Sequence, residues 1–158
     1  MRLLTLTAIA TVALSSASLA LAEDVTRDSY TAAVEPICAA NAKANDRILK
    51  NVRQMVKQGK LKPAGAKFIK ASEALKKTLA QLKAVPQPPA DTTRLAKWLK
   101  YVKKEADLFN SAGKKLQANN KIAAQRIVVQ LTSNANQANN TVIAFNFHDC
   151  RFQPSKYT

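Results

Sequence analysis

Apolar residues recur along this chain at three- and four-residue spacing, and the recurrence divides it into four segments. Taken at about 100° per residue, Tyr30, Val34, Ile37, Asn41, Ala44, Ile48, Val52 and Met55 fall on one narrow stripe. That stripe predicts a first helix over about 28–58, closed by Gly59. Pro36 lies inside it and predicts a kink or restart, because proline lacks a backbone donor and crowds the preceding turn. Leu61, Ala64, Phe68, Leu75, Leu79 and Leu82 form a second stripe, a helix over about 62–84 with Pro63 suited to its first turn.

The run Val85-Pro86-Gln87-Pro88-Pro89 cannot continue a helix and predicts an extended connector. Asp91 or Thr92 then caps a third helix, about 91–118, with Leu95, Trp98, Leu99, Val102, Ala106, Phe109, Gly113 and Leu116 on its inner face and Leu108 pointing away into solvent. Asn119-Asn120 makes the next break. The fourth stripe, Ala124, Ile127, Val128, Leu131, Ala135, Ala138, Val142 and Phe145, predicts a helix over about 120–146. No such helix is stable alone, and short connections between helices of similar length predict an all-α, antiparallel up-down-up-down four-helix bundle.

The first 22 residues read differently. A positive start at Met1-Arg2, an apolar stretch to Leu14 and the small-x-small site Ala20-Leu21-Ala22 describe a cleavable signal peptide (1–22). A single helical-bundle domain (23–158) follows, secreted or extracytoplasmic, in the periplasm or cell envelope, with no transmembrane segment after processing. In that setting the two cysteines are informative. An up-down-up-down bundle brings the start of its first helix and the end of its fourth to the same pole, so Cys38 and Cys150 come within disulfide reach.

A resemblance rests on these same landmarks: Tyr30 and Glu35-Pro36-Ile37-Cys38 near the start, the prolyl connector, and Ala144-Phe145-Asn146-Phe147-His148-Asp149-Cys150 at the end. With them the chain resembles uncharacterised exported bacterial four-helix proteins carrying one terminal cysteine pair, in which glycine commonly stands where this chain has Asn146. The resemblance implies a fold and no activity. The layout is also similar to that of the periplasmic four-helix cytochromes, but Met55 falls roughly 27 Å along the first helix from the end where His148 lies, so haem ligation is not expected.

Candidate chemistry is sparse. A single histidine, His148 beside Asp149, ten acidic residues with no recognisable pair, and no Glu-x-x-His or His-Glu-x-x-His sequence leave no catalytic, metal or cofactor set, and the chain reads as non-enzymatic. Charge is what stands out. The net charge is +15, and without Arg2 it is +14, from 24 basic and 10 acidic residues. Lys43, Arg47, Lys50, Arg53 and Lys57 share a polar arc of the first helix, and Lys97, Lys100 and Lys104 flank Tyr101 on the third. These eight are the candidate anion-binding surface, with anionic cell-envelope polymers, acidic lipid surfaces or extracellular nucleic acid as expected partners of a monomer. The alternative is a small-ligand carrier or sensor using the bundle interior, suggested by Asn41, Ser72 and Gly113 in otherwise apolar stripes.

Overall fold

The computed structural model describes residues 25–157, so the signal-peptide reading lies outside the described residues. Among those described, helices α1 (Arg27–Ile48), α2 (Val52–Lys57), α3 (Leu61–Ala84), α4 (Thr92–Gln117) and α5 (Lys121–Thr141) follow one another, with short 3-10 turns at Pro89–Asp91, Ile143–Phe145 and Pro154–Lys156. Helices α1 and α2 both pack on α3, and taken together as one segment they give an antiparallel up-down-up-down bundle of four helical segments. None of its helices is long and apolar enough to cross a membrane.

Local chemistry sets the helix ends. Thr26 and Ser29 form a reciprocal capping box at the start of α1, and the Asn120 side chain accepts from the Ala123 N–H at the start of α5. Gly59 (φ 73°) closes α2 and Asn119 (φ 56°) closes α4 in the same way. In each case the left-handed residue bonds back to the third-last turn residue and its successor reaches one residue further.

Three expectations are corrected. The first helix runs unbroken through Pro36 and breaks instead at Asn51, whose φ of 61° asparagine tolerates better than most residues. Proline's missing N–H costs one bond on an exposed face, whereas the break turns Leu49 inward; in a continuous helix it would point about 100° away from Ile48. Lys67 Nζ caps the end of α1 by donating to the Ile48 carbonyl (2.8 Å). The fourth helix stops at Thr141 and not at about 146, because Phe145 and Phe147 are both buried and two residues apart, a spacing that a helix would send to opposite faces. Leu108 is buried, not exposed: α4 is covered by α3 on one side and α5 on the other, so its apolar arc is wider than one stripe.

Packing is closest between α3 and α4, where Gly65 and Gly113 face each other. A Cβ on Gly65 would lie 2.5 Å from the Gly113 carbonyl oxygen, and one on Gly113 would lie 2.7 Å from that of Gly65. Ser72, two turns further along α3, donates to the Ala106 carbonyl of α4 (2.7 Å). Two of the polar or small residues in the apolar stripes thus serve helix packing. The Cys38–Cys150 disulfide closes one pole, with Cα atoms 5.0 Å apart, beside an aromatic cluster of Tyr30, Trp98, Phe145 and Phe147. At the same pole the Asp91 carboxylate, buried, receives two hydrogen bonds from Arg27 (2.6 and 3.0 Å) and ties the start of α1 to the start of α4.

Candidate functional site

Helix α1 packs on α3 and α5 packs on α4, but α1 and α5 stand apart. The C-terminal segment fills the opening. After α5 the left-handed Asn146 (φ 51°) reverses the chain, and residues 147–157 run back along the gap as a strap. Polar clasps hold it along its whole length. Glu35 accepts from the N–H groups of His148 and Asp149 (2.7 Å each), the disulfide fixes Cys150, and the Asn139 amide exchanges two hydrogen bonds with the Phe152 backbone (3.0 and 2.9 Å). Further on, Arg53 donates to the Ser155 carbonyl (2.6 Å), and Asp46 receives Lys156 (2.8 Å) and the Tyr157 hydroxyl (2.6 Å). These two donors hold the Asp46 carboxyl below its ordinary range, and burial, then Asp46, push the Tyr157 hydroxyl up.

Beneath the strap lies a pocket of about 700 Å³. Its walls are Asn41 and Asn45 from α1, Leu75, Thr78 and Leu82 from α3, Trp98, Val102, Glu105 and Phe109 from α4, and strap residues from Phe147 to Tyr157. The volume is that of a small-molecule site. What distinguishes it from an ordinary packing gap is its polarity. Among its lining residues, the amide oxygens of Asn41 and Asn45 and the indole N–H of Trp98 are buried without hydrogen-bond partners. Groups left so cost about 1–3 kcal/mol each unless something fills the space and bonds to them.

Glu105 is the most unusual of the lining residues, being 1% exposed in the middle of the bundle. One carboxylate oxygen accepts from Asn134 Nδ2 on α5 (2.7 Å), whose second proton goes to the Tyr101 carbonyl (3.0 Å). No cation pairs with it among the described residues. Burial therefore pushes its carboxyl up to about 7, against the smaller lowering effect of the Asn134 bond.

Comparison of the chain with protein-family models, with characterised proteins and with solved structures finds no match in any of the three. Roles therefore rest on geometry. Lys43, Arg47, Lys50, Arg53 and Lys57 are all exposed along α1 and α2, and Lys97, Lys100 and Lys104 are exposed on α4. The two groups sit on helices at opposite corners of the bundle, so they form two basic faces and not one. Tyr101 between the α4 lysines is half-buried. Trp98 is a core residue, as its stripe position implied, but it also lines the pocket.

Asn41, the one interior hint that proves to line the pocket, was legible as a polar residue in an apolar stripe; Asn45 and Glu105 were not. Both lie beside the main stripes, and Glu105 was hidden by the same width of the α4 apolar arc that hid Leu108. Where the strap begins, Glu35, His148 and Asp149 bring one metal-ligating atom each to within 4.8 Å of one another. Both Glu35 oxygens are already engaged by strap N–H groups, so this cluster works as a clasp.

Proposed function

We propose that this protein binds a small organic molecule in the pocket under its C-terminal strap, as a carrier or sensor in an extracytoplasmic compartment. One observation supports the reading above all: a pocket of small-molecule size whose wall holds a buried carboxyl group and polar atoms without partners. A merely structural core fills such space with apolar side chains, because unpaired polar atoms weaken it. The disulfide suits an oxidising compartment and ties the strap to α1 next to the pocket. The protein carries its own reporter, since Trp98 is the single tryptophan and lies on the wall. Screening a chemically diverse compound set by Trp98 fluorescence and thermal shift tests the reading. A ligand at a hundred times its Kd adds about 2.7 kcal/mol to stability. A set in which no compound moves both signals refutes it.

A second reading is binding of anionic polymers or acidic lipid surfaces. It is favoured by an apolar cleft of about 500 Å³ at the α2 end, floored by Val52, Phe68 and Leu116 and rimmed by Arg53, Lys57 and Lys121. Attraction of this kind weakens steeply with salt through counterion release. Salt titration against polyanions and anionic vesicles decides it, and absence of binding at low salt refutes it.

A further inference from the structure

The pocket's polar atoms narrow the class of ligand, an inference that rests on the small-ligand reading above. Glu105 is one of the residues around the cavity, buried, with one carboxylate oxygen bonded to Asn134. Among the described residues no cation forms an ion pair with it. The residues that line the cavity with it are Leu75, Thr78 and Leu82 from α3 and Asn41, Ala42 and Asn45 from α1, and its hydrogen-bond partner from α5 is the neutral Asn134. The strap brings His148, Asp149, Arg151, Lys156 and Tyr157 to the pocket. None of them forms an ion pair with Glu105, and Lys156 and Tyr157 are taken by Asp46. A carboxylate buried without a cation is costly, and it either holds a proton or receives a positive charge from outside. The orphaned amide oxygens of the lining residues Asn41 and Asn45 ask for donors as well.

We propose that the pocket receives an organic ammonium ion with an apolar body, its N–H donors taken by Glu105, Asn41 and Asn45 and its body by Leu75, Val102 and Phe109. A carboxylate ligand would place a second negative charge beside Glu105, and a neutral alcohol brings one donor where three acceptors stand. The position of the Glu105 carboxyl agrees: with burial pushing it up to about 7, the empty site holds a proton near neutrality that an entering ammonium displaces. The net charge of +14 on the processed chain repels a cation at long range, so added salt strengthens this binding slightly, the reverse of polyanion binding.

The test is titration of the disulfide-closed protein with phenethylamine, 2-phenylethanol and 3-phenylpropionate, three probes of one body and different heads, followed by Trp98 fluorescence. Phenethylamine is expected to bind at least about tenfold more tightly than the alcohol, with the carboxylate weakest. Its affinity is expected to fall about tenfold from pH 8 to pH 6, as protons compete for Glu105. Glu105→Gln is expected to remove both the preference and the pH dependence. The pH series on the unaltered chain stands even if that variant does not fold. An alcohol or carboxylate binding as tightly as the amine overturns the ammonium assignment and leaves the small-ligand reading intact, as does an amine affinity flat with pH. Failure of all three probes overturns the assignment too, and the broad compound screen then judges the pocket separately.

Discussion

Replacing Glu105 by Gln should change how stability depends on pH more than it changes stability at any one pH. In the unfolded chain this carboxyl ionises at its ordinary 4.5, whereas in the fold burial holds the proton until about 7. Between those values the folded state carries one proton more than the unfolded state, so unfolding releases it and stability falls as pH rises. The contribution is fully present below 4.5, declines through the window and is gone above about 7. A separation of about 2.5 pH units at 1.36 kcal/mol each amounts to about 3 kcal/mol. Glutamine does not titrate, so the variant lacks this slope, and any constant cost of its new contact with Asn134 cancels when the comparison is made across pH. Urea denaturation at fixed ionic strength, followed by circular dichroism and by Trp98 fluorescence at pH 5, 6, 7 and 8, measures the difference. The variant should gain about 2.5 kcal/mol on the parent from the lowest to the highest pH, most of the whole effect. A difference constant to within about 0.5 kcal/mol would show that Glu105 is not desolvated as the fold implies.

Three more outcomes follow from the packing. Cys38→Ser with Cys150→Ser should cost about 4–5 kcal/mol in chemical denaturation, the chain-entropy value for a 112-residue separation, and should free the strap for hydrogen exchange from Cys150 onward. Full protection of the strap in the reduced protein would mean that its polar clasps suffice. Gly65→Ala should lose about 1–3 kcal/mol or more, because its methyl would meet the Gly113 carbonyl oxygen at 2.5 Å and force α3 and α4 apart. Thermal unfolding at an unchanged midpoint would refute that contact. Asp91→Asn should lower the thermal midpoint at pH 7, and the deficit should shrink as pH falls below 3.8. Arg27 holds the Asp91 carboxyl below that ordinary value, so its contribution exists above 3.8 and is lost in acid. Scans at pH 7 and pH 3 compare the two.

Much of the scaffold was readable from pattern alone. The stripes located α3, α4 and the body of α5 to within a few residues, since an amphipathic helix records its buried face at a spacing of three to four. The cysteines confirmed the order of packing, because only an even number of antiparallel passes returns Cys150 to Cys38. Breaks were harder. Asn51, Asn119 and Asn146 all adopt left-handed backbone, yet only Asn119 sat in a doublet that announced itself. Asn51 stands inside a continuing apolar stripe, and the reason for its turn, the inward swing of Leu49, exists only once α3 is there to receive it.

The amino-acid order thus determined by itself that there would be four amphipathic rods, their sequence of up and down, and the pole at which sulfur would join them. Periodicity and loop length are local properties, and a linear reading contains them. Tertiary packing alone decided that α1 and α5 would stand apart, that residues 147–157 would span the opening, and that Glu105 would end beneath them without a cation. Whether a charged side chain meets water or a desolvated wall depends on which helix arrives opposite it, and that is a fact of three dimensions.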